Sequence, residues 1–363
     1  MVGFGQLMEI KKFKVYVSDE GFGHISRQRA ILDELLKQRR LDVVLQTQQN
    51  LTYAKRILGD SVRYVRRFNN IITVKKNGGL DKEATLRRIS RYPYLSKRFI
   101  QREKENFNYD FVLSDLVPEA LYLSKIMGVG NSGVCHFTWD WFFRKLYPDY
   151  KVLHQLLDYY LSHADKLFFH PFTPTEILDR YHDRAVEVPL IVKRMNTTNL
   201  KKTSSQFKVL ILDSGTGVLT GAIHKNIPIL KRLRDLYFML PQRFQAEGEN
   251  IILIPRGVEV SDYFAQTDLV VARAGFNTIS ECVANQVPMI LVEETDNPEI
   301  TQNLQRVFEA GLCGWMTLEE YQTNFGGSLK NFLKNDYETV KKNLTKVRAD
   351  GAEIVAREIL KRL

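Results

Sequence analysis

The sequence predicts an α/β protein made of two doubly wound domains, each a parallel sheet with helices on both faces, facing one another across a cleft. Three observations predict it. The chain has 363 residues, too many for one typical core and suited to two domains. Short β-branched runs alternate with helical patterns in both halves. A polar stretch without periodicity, Lys193–Gln206 (KRMNTTNLKKTSSQ), separates those halves and reads as a linker. The domains are expected at 1–192 and 207–363, with the last helix free to pack back on the first.

In the first half, Phe13–Ser18 (FKVYVS) reads as a strand, followed by a glycine turn and a helix over Ile25–Gln38 with apolar Ile31, Leu32, Leu35 and Leu36 on one face. Leu41–Gln46 is the second strand, Ser61–Phe68 a weak third, and Phe111–Ser114 another that runs into Pro118 and a helix to Met127. The second half repeats the plan. Lys208–Leu212, Ile251–Pro255, Leu269–Ala272 and Val287–Val292 are its strands, with a turn at Gly215 and Gly217 after the first. Such folds bind ligands where the C-terminal ends of the strands meet the cleft.

Composition excludes several classes. With 44% hydrophobic and 26% charged residues the chain is neither disordered nor fibrous. Met1–Lys12 lacks the features of a signal peptide, and no run approaches the ~18 apolar residues needed to span a bilayer, so the expectation is a cytoplasmic protein. Cys135, Cys282 and Cys313 are few and scattered, which fits buried thiols rather than disulfides or a zinc site. No metal motif is present and no cofactor is expected.

The net charge of +10 is local: Lys55–Glu105 holds 15 Lys or Arg against 5 Asp or Glu. Arg66, Arg67, Lys75, Lys76, Arg87, Arg88, Lys97 and Arg98 either form a solvated face or attract an anionic membrane surface or a phosphorylated acceptor. Tyr92, Pro93 and Tyr94 add aromatics without a nucleic-acid motif, so specific nucleic-acid binding is not expected.

Gly21-Phe22-Gly23-His24 lies between the first strand and first helix, where free amides and the helix dipole favour a polar or negative oxygen. It is a poor dinucleotide fingerprint, because Ser26 occupies the third glycine position and Gln46, Thr47 and Gln48 offer no ribose carboxylate. His24 either caps its helix or serves as a general base, with Asp115 at the end of a neighbouring strand to orient it. His136, Trp139 and Asp140 end a cleft-edge strand and are acceptor-pocket candidates, against the alternative of a packed aromatic cluster.

In the second half, Asp268–Val292 (DLVVARAGFNTISECVANQVPMILV) predicts a strand ending at Arg273, a tight turn at Gly275, a helix capped by Asn277 and Thr278, and Glu281 one turn inside. That helix start suits a diphosphate, and the deeper carboxylate suits ribose hydroxyls. An ordinary capped helix with a surface glutamate is the alternative. Ser214-Gly215-Thr216-Gly217 could cradle a phosphate but lacks the Lys-Ser/Thr of an NTPase loop. Glu293, Glu294, Asp296 and Asn297 either accept from sugar hydroxyls or form a solvated acidic loop.

Arg273-Ala274-Gly275-Phe276-Asn277-Thr278-Ile279-Ser280-Glu281 resembles the donor-site motif of the MurG family and, more broadly, of GT-B nucleotide-sugar glycosyltransferases. The resemblance implies two Rossmann-like domains in the GT-B arrangement, with Glu281 on ribose and Gly275, Asn277 and Thr278 on phosphate. Gly21-Phe22-Gly23-His24, with Arg27, resembles the acceptor-side loop of the same families, where the histidine is the base; Asp115 falls at the aspartate of a His-Asp dyad. The first half is also similar to the glycosyltransferase-like region of plant L-arabinokinases, over Gly21–Arg27, Ser114–Glu119, Phe137–Asp140 and Val188–Val192, although no sugar-kinase phosphate loop follows.

One departure stands out: the family glutamine three residues before the asparagine matching Asn303 is Ile300 here, with Glu299 and Gln302 alongside. The implied function is inverting, metal-independent transfer of a sugar from a nucleotide donor, UDP-linked by resemblance, to an acceptor hydroxyl. His24 and Asp115 would do the chemistry. Ser214, Gly215, Thr216, Gly217, Arg273, Gly275, Asn277, Thr278, Glu281, Asp296, Asn297 and Gln302 would hold the donor, and Gly21, Gly23, Arg27, His136, Trp139 and Asp140 the acceptor. Hydrolysis of a nucleotide-sugar and non-catalytic binding of one remain open as alternatives.

Overall fold

From Phe13 onward every residue of the first strand, β1 (Lys11–Val17), is buried, the signature of a strand covered on both faces of a parallel sheet. The computed structural model describes residues 9–66, 71–76, 79–192, 206–213, 217–255 and 260–363. After β1 come α1 (Gly23–Gln38), β2 (Leu41–Thr47), α2 (Leu51–Leu58) and β3 (Arg63–Arg66). A short antiparallel pair, β4 (Lys75–Lys76) with β5 (Gly79–Leu80), precedes α3 (Lys82–Ile89) and α4 (Tyr92–Glu105). The first lobe continues through β6 (Phe111–Asp115), α5 (Pro118–Ile126), β7 (Gly130–Cys135), α6 (Trp139–Leu146) and α7 (Lys151–Leu161), then β8 (Leu167–Phe169), α8 (Thr175–Arg180) and β9 (Ala185–Glu187).

These strands form a parallel sheet in the order β3-β2-β1-β6-β7-β8-β9. Strand order reverses between β1 and β6, so the loops leaving those two strands diverge and open a crevice at their C-terminal ends. The alternation of a strand sends Phe13, Val15 and Val17 to one face, against Ile25, Ile31 and Leu35 of α1. Tyr16 points to the other face, where Phe99, Ala120, Phe142 and Leu157 form a second core.

The second lobe runs β10 (Phe207–Leu212), α9 (Val218–Arg232), β11 (Leu236–Pro241), β12 (Ile251–Ile254), β13 (Leu269–Arg273), α10 (Phe276–Ala284), β14 (Met289–Val292), α11 (Pro298–Glu309) and β15 (Gly314–Met316). Its sheet is parallel in the order β12-β11-β10-β13-β14-β15, with the reversal between β10 and β13. Four further helices follow: α12 (Leu318–Thr323), α13 (Phe325–Asn335), α14 (Tyr337–Leu344) and α15 (Gly351–Leu360).

The chain then crosses back. Ala352, Val355, Ala356 and Ile359 of α15 join the core of the first lobe beside α1. Arg362 donates to the Asn131 carbonyl and pairs with Asp165, and Lys166 pairs with Glu358 at 2.7 Å. Gly351 is required at the crossing, since a Cβ there would meet the Pro189 carbonyl oxygen at 2.0 Å. Cys135, Cys282 and Cys313 are free and buried. Among the described residues no helix is long and apolar enough to cross a membrane. Residues 193–205, most of the expected linker, and Ser214, Gly215, Thr216 and Arg67 lie outside the described residues.

Candidate functional site

Register explains why the candidate residues converge. Val17 pairs with Asp115, Asp115 with Val134, and Cys135 with Phe169, so β1, β6, β7 and β8 end side by side. The residues at or just beyond those ends, among them His24, Asp115, His136 and His170, therefore collect on one edge of the sheet. Gly21 takes φ +96°, a left-handed conformation that side chains resist, and turns the chain from β1 into α1. Asn50 donates to the Gly21 carbonyl at 2.8 Å, and Asp19 accepts from Thr47 Oγ1 and the Gln48 and Gln49 amides, fixing the turn. Phe22, 60% exposed, rests against Tyr53 at its mouth.

Asp115 is fully buried and its carboxylate gathers donors from α1. His24 Nδ1 lies 2.8 Å from Oδ1, Arg27 Nε 2.9 Å and Gln28 Nε2 2.7 Å from Oδ2, and Arg27 Nη2 also donates to Oδ1. Burial opposes ionisation of this carboxyl, but the Arg27 guanidinium and His24 outweigh it and hold Asp115 well below the usual carboxylate range. Arg27 Nη2 also sits 2.9 Å from His24 Nδ1. A guanidinium offers no acceptor, so in the tautomer protonated at Nδ1 that proton goes to the carboxylate and Nε2 keeps the lone pair. Among the described residues no hydrogen bond engages Nε2. An imidazole oriented this way can take a proton from a hydroxyl.

Arg27, expected on an acceptor, is instead buried between these groups. Its Nη1 reaches His136 Nδ1 at 3.1 Å and His170 Nε2 at 3.3 Å. Burial, reinforced by Arg27, pushes the His136 pKa down to about 4 and that of His170 well below its ordinary value, so both rings are neutral near pH 7. His170 was missed in the sequence. It follows the apolar run Leu167–Phe169 as His136 follows β7, and a buried strand ending in histidine was the available signal.

The second lobe meets this edge directly. Phe276, the first residue of α10, stacks on the His136 ring at 4.6 Å and meets His170 edge-on at 4.8 Å. Glu299, in the first turn of α11, lies 2.9 Å from His136 Nε2. A Cβ on Gly23 would come 3.0 Å from Asn277 Cβ, so a glycine at 23 lets α1 and α10 approach.

Several expected roles are corrected. Trp139 and Asp140 open α6 and are buried in the interior of the first lobe. Trp139 is buried among Phe137, Phe142 and Phe143 with Nε1 donating to the Leu116 carbonyl, and Asp140 is buried against Arg180 and Arg144. Of the three, only His136 lines the site, because the first side chains of α6 are taken up by the first lobe's aromatic core and its buried ion pairs. Asn277 and Thr278 do not cap α10. The helix starts earlier, with Gly275 at its N-cap and no side-chain cap, and Asn277 bonds down the helix to Glu281 Oε1 at 3.0 Å. The first amides of α10 are thereby left without a capping side chain.

Arg273 is buried and held by Glu294, Nη2 to Oε1 at 3.0 Å, so the charge expected to offset a diphosphate is met inside the lobe. Asn297 caps α11, accepting from the Glu299 and Ile300 amides, which commits its side-chain oxygen to the helix. Asp296 is exposed and pairs with Lys82 of the first lobe at 3.4 Å. Gln302 is partly buried on α11, and Gly217, at φ +86°, precedes α9 without a side-chain cap.

Comparison with known proteins adds a domain match and a fold. Residues 231–362 match the glycosyltransferase family 28 C-terminal domain. The chain is 21% identical over 318 residues to L-arabinokinase of Arabidopsis thaliana, which covers 83% of this chain and 30% of that protein. It is 24% identical over 209 residues to the UDP-N-acetylglucosamine--N-acetylmuramyl-(pentapeptide) pyrophosphoryl-undecaprenol N-acetylglucosamine transferase of Thermosipho melanesiensis, 54% of this chain and 58% of that one. The chain thus spans about a third and somewhat over half the length of these relatives.

Solved structures give the fold over the whole chain. The glycotransferase of kitacinnamycin superposes with a TM-score of 0.73 at 13% identity, covering 98% of this chain and all of that one. The calicheamicin glycosyltransferase gives 0.70 at 12% identity, over 98% and 99%. MurG of Acinetobacter baumannii gives 0.62 at 16% identity, over 97% and 100%. Residues 231–362 thus carry the family match, and both lobes share the GT-B fold of these glycosyltransferases.

Proposed function

We propose that this GT-B chain transfers a sugar from a nucleotide-sugar, UDP-linked in the reading we favour, to an acceptor hydroxyl with inversion and without an obligatory metal. The observation that carries the reading is the buried His24–Asp115 pair, whose Nε2 lone pair lies at the edge met by the uncapped start of α10. His24 would take the acceptor proton as the hydroxyl attacks the sugar carbon, with Asp115 stabilising the imidazolium that forms. The free amides of α10 would receive the leaving diphosphate, and Glu281 the ribose hydroxyls.

For the acceptor, the basic segment supports an anionic or lipid-linked molecule. Arg87, Arg88 and Arg91 of α3 and its end flank a groove with an apolar floor of Ile71, Val74, Ile89 and Leu95. Such a surface fits a headgroup with an apolar portion, at an anionic membrane or free in solution.

A thermal-shift screen of nucleotides and nucleotide-sugars tests the donor site, since a ligand bound only by the folded chain raises Tm. A hit leads to turnover with and without acceptors. Turnover that needs no acceptor would make the chain a hydrolase, binding without turnover a sensor, and no shift with any nucleotide would remove the donor-site reading. Sedimentation with anionic vesicles at low salt, reversed by added salt, tests the membrane arm.

A further inference from the structure

His136 belongs to the first lobe, Glu299 to the second, and the hydrogen bond between them is built from both sides. On its own side, His136 is 5% exposed and its Nδ1 accepts from Arg27 Nη1 at 3.1 Å. A neutral imidazole carries one proton, so an occupied Nδ1 acceptor sends that proton to Nε2. Nε2 then donates to Glu299 Oε1 at 2.9 Å. On the other side, Asn297 caps the helix that presents Glu299, and burial is overcome by His136 and Arg273 to hold the Glu299 pKa at about 2. The acceptor is therefore a charged carboxylate aimed at a proton whose place is fixed by Arg27.

We propose that His136 is a positioning residue that latches the lobes together, and that Arg27, by fixing its tautomer, ties the latch to the candidate base. One guanidinium spans Asp115, His24 and His136. The groups that orient the base are thus continuous with the bond that brings the second lobe against it. The consequence for turnover rests on the transferase reading; the latch itself does not.

Opening re-solvates Glu299 but strands the Nε2 proton of a buried ring until water enters. The bond therefore biases the lobes towards closure without freezing them. A second polar link between the lobes, Lys82 with Asp296, joins two exposed groups and contributes little. Phe276 stacking on His136 is the competing explanation for any closure, and two substitutions separate the two. His136→Phe keeps a ring against Phe276 and deletes the donor. His136→Gln loses the ring but places an amide N–H where Nε2 was.

The test reads lobe separation by small-angle scattering of the full chain, with and without a nucleotide found to bind. The latch predicts that His136→Phe expands the molecule and weakens that nucleotide by about tenfold, the scale of a hydrogen bond to a charged group, while His136→Gln stays near wild type. The opposite pattern would make stacking the cause, and any result in which His136→Gln fails to restore closure, or neither variant opens, overturns the latch. Long-range proton–nitrogen spectra of the wild type should place the His136 proton on Nε2; a proton on Nδ1 overturns the role given to Arg27. None of these readouts requires turnover, so a chain that latches but transfers no sugar would sink the transferase reading and leave this one standing.

Discussion

Replacing Asp115 with asparagine perturbs the site at the atom on which its geometry depends. The carboxylate accepts from His24 Nδ1, Arg27 Nε and Nη2, and Gln28 Nε2, all of them buried. Asparagine keeps one acceptor oxygen and turns an amide donor toward groups that are themselves donors. Arg27 then loses the carboxylate that pairs with it at 5% exposure, and breaking a buried pair from one side costs about 3–5 kcal/mol. That is a large share of the roughly 5–15 kcal/mol that keeps a domain folded, so Asp115→Asn should fold but melt early in urea.

Catalysis should suffer more. Without the carboxylate nothing favours the Nδ1–H tautomer of His24, and loss of a triad carboxylate lowers turnover by about 10⁴-fold in enzymes of that design. The pH dependence has a definite sign. Asp115 is held below its ordinary range in the fold, so its contribution is fully present above the unfolded carboxyl value of about 3.9 and is lost as pH falls through the lower, folded one. The stability gap between wild type and variant should therefore be wide at neutral pH and shrink under strong acid. Urea titrations at several pH values, with release of nucleoside diphosphate as the activity readout, measure both effects. A variant within about 1 kcal/mol of wild type, or one retaining a tenth of the activity, would refute the argument.

Three further outcomes are expected. Glu281→Ala should weaken nucleotide binding by about tenfold to a hundredfold by calorimetry, with the melting temperature of the unliganded chain nearly unchanged because the side chain is only partly buried; unchanged affinity would remove Glu281 from the donor site. Trp139→Ala should cost about 3–5 kcal/mol in unfolding stability, since the ring is buried in an aromatic cluster; a mild loss of stability with a change in acceptor choice would return Trp139 to the cleft. His136 and His170 are buried neutral, so unfolding takes up protons and stability should fall as pH drops below the unfolded histidine value of about 6.5; a flat profile between pH 7 and 5 would show that these rings titrate normally.

What could be read in advance followed from local regularity. β14 and the first four residues of β13 are unbroken apolar runs, and a run buried on both faces is hard to mistake once helices alternate with it. Gly21, Phe22, Gly23 and His24 sit at a strand-to-helix turn that shows in the sequence itself, and the pairing of His24 with Asp115 needed only the assumption that both lie at the C-terminal edge. β7 and β8 were harder. Asn131, Ser132 and Gly133 carry no apolar signal yet are buried in β7, because the sheet around them supplies the partners: Asn131 bonds to the Leu121 and His163 carbonyls.

By itself, then, the sequence determined the two-lobed α/β plan, the turn that carries His24 and the presence of a helix behind the Gly275 turn, though not its first residue, since each is written in spacing and residue type over a few dozen positions. Tertiary structure decided the partners. Arg27 became the hub of a buried cluster, Arg273 was neutralised by Glu294, Asn297 became a cap, and Trp139 and Asp140 turned into the core. It also brought Glu299 against His136, two residues 163 positions apart. Such choices depend on which strand neighbours which and on the angle at which two lobes meet, quantities set by packing over the whole chain and carried by no single stretch of it.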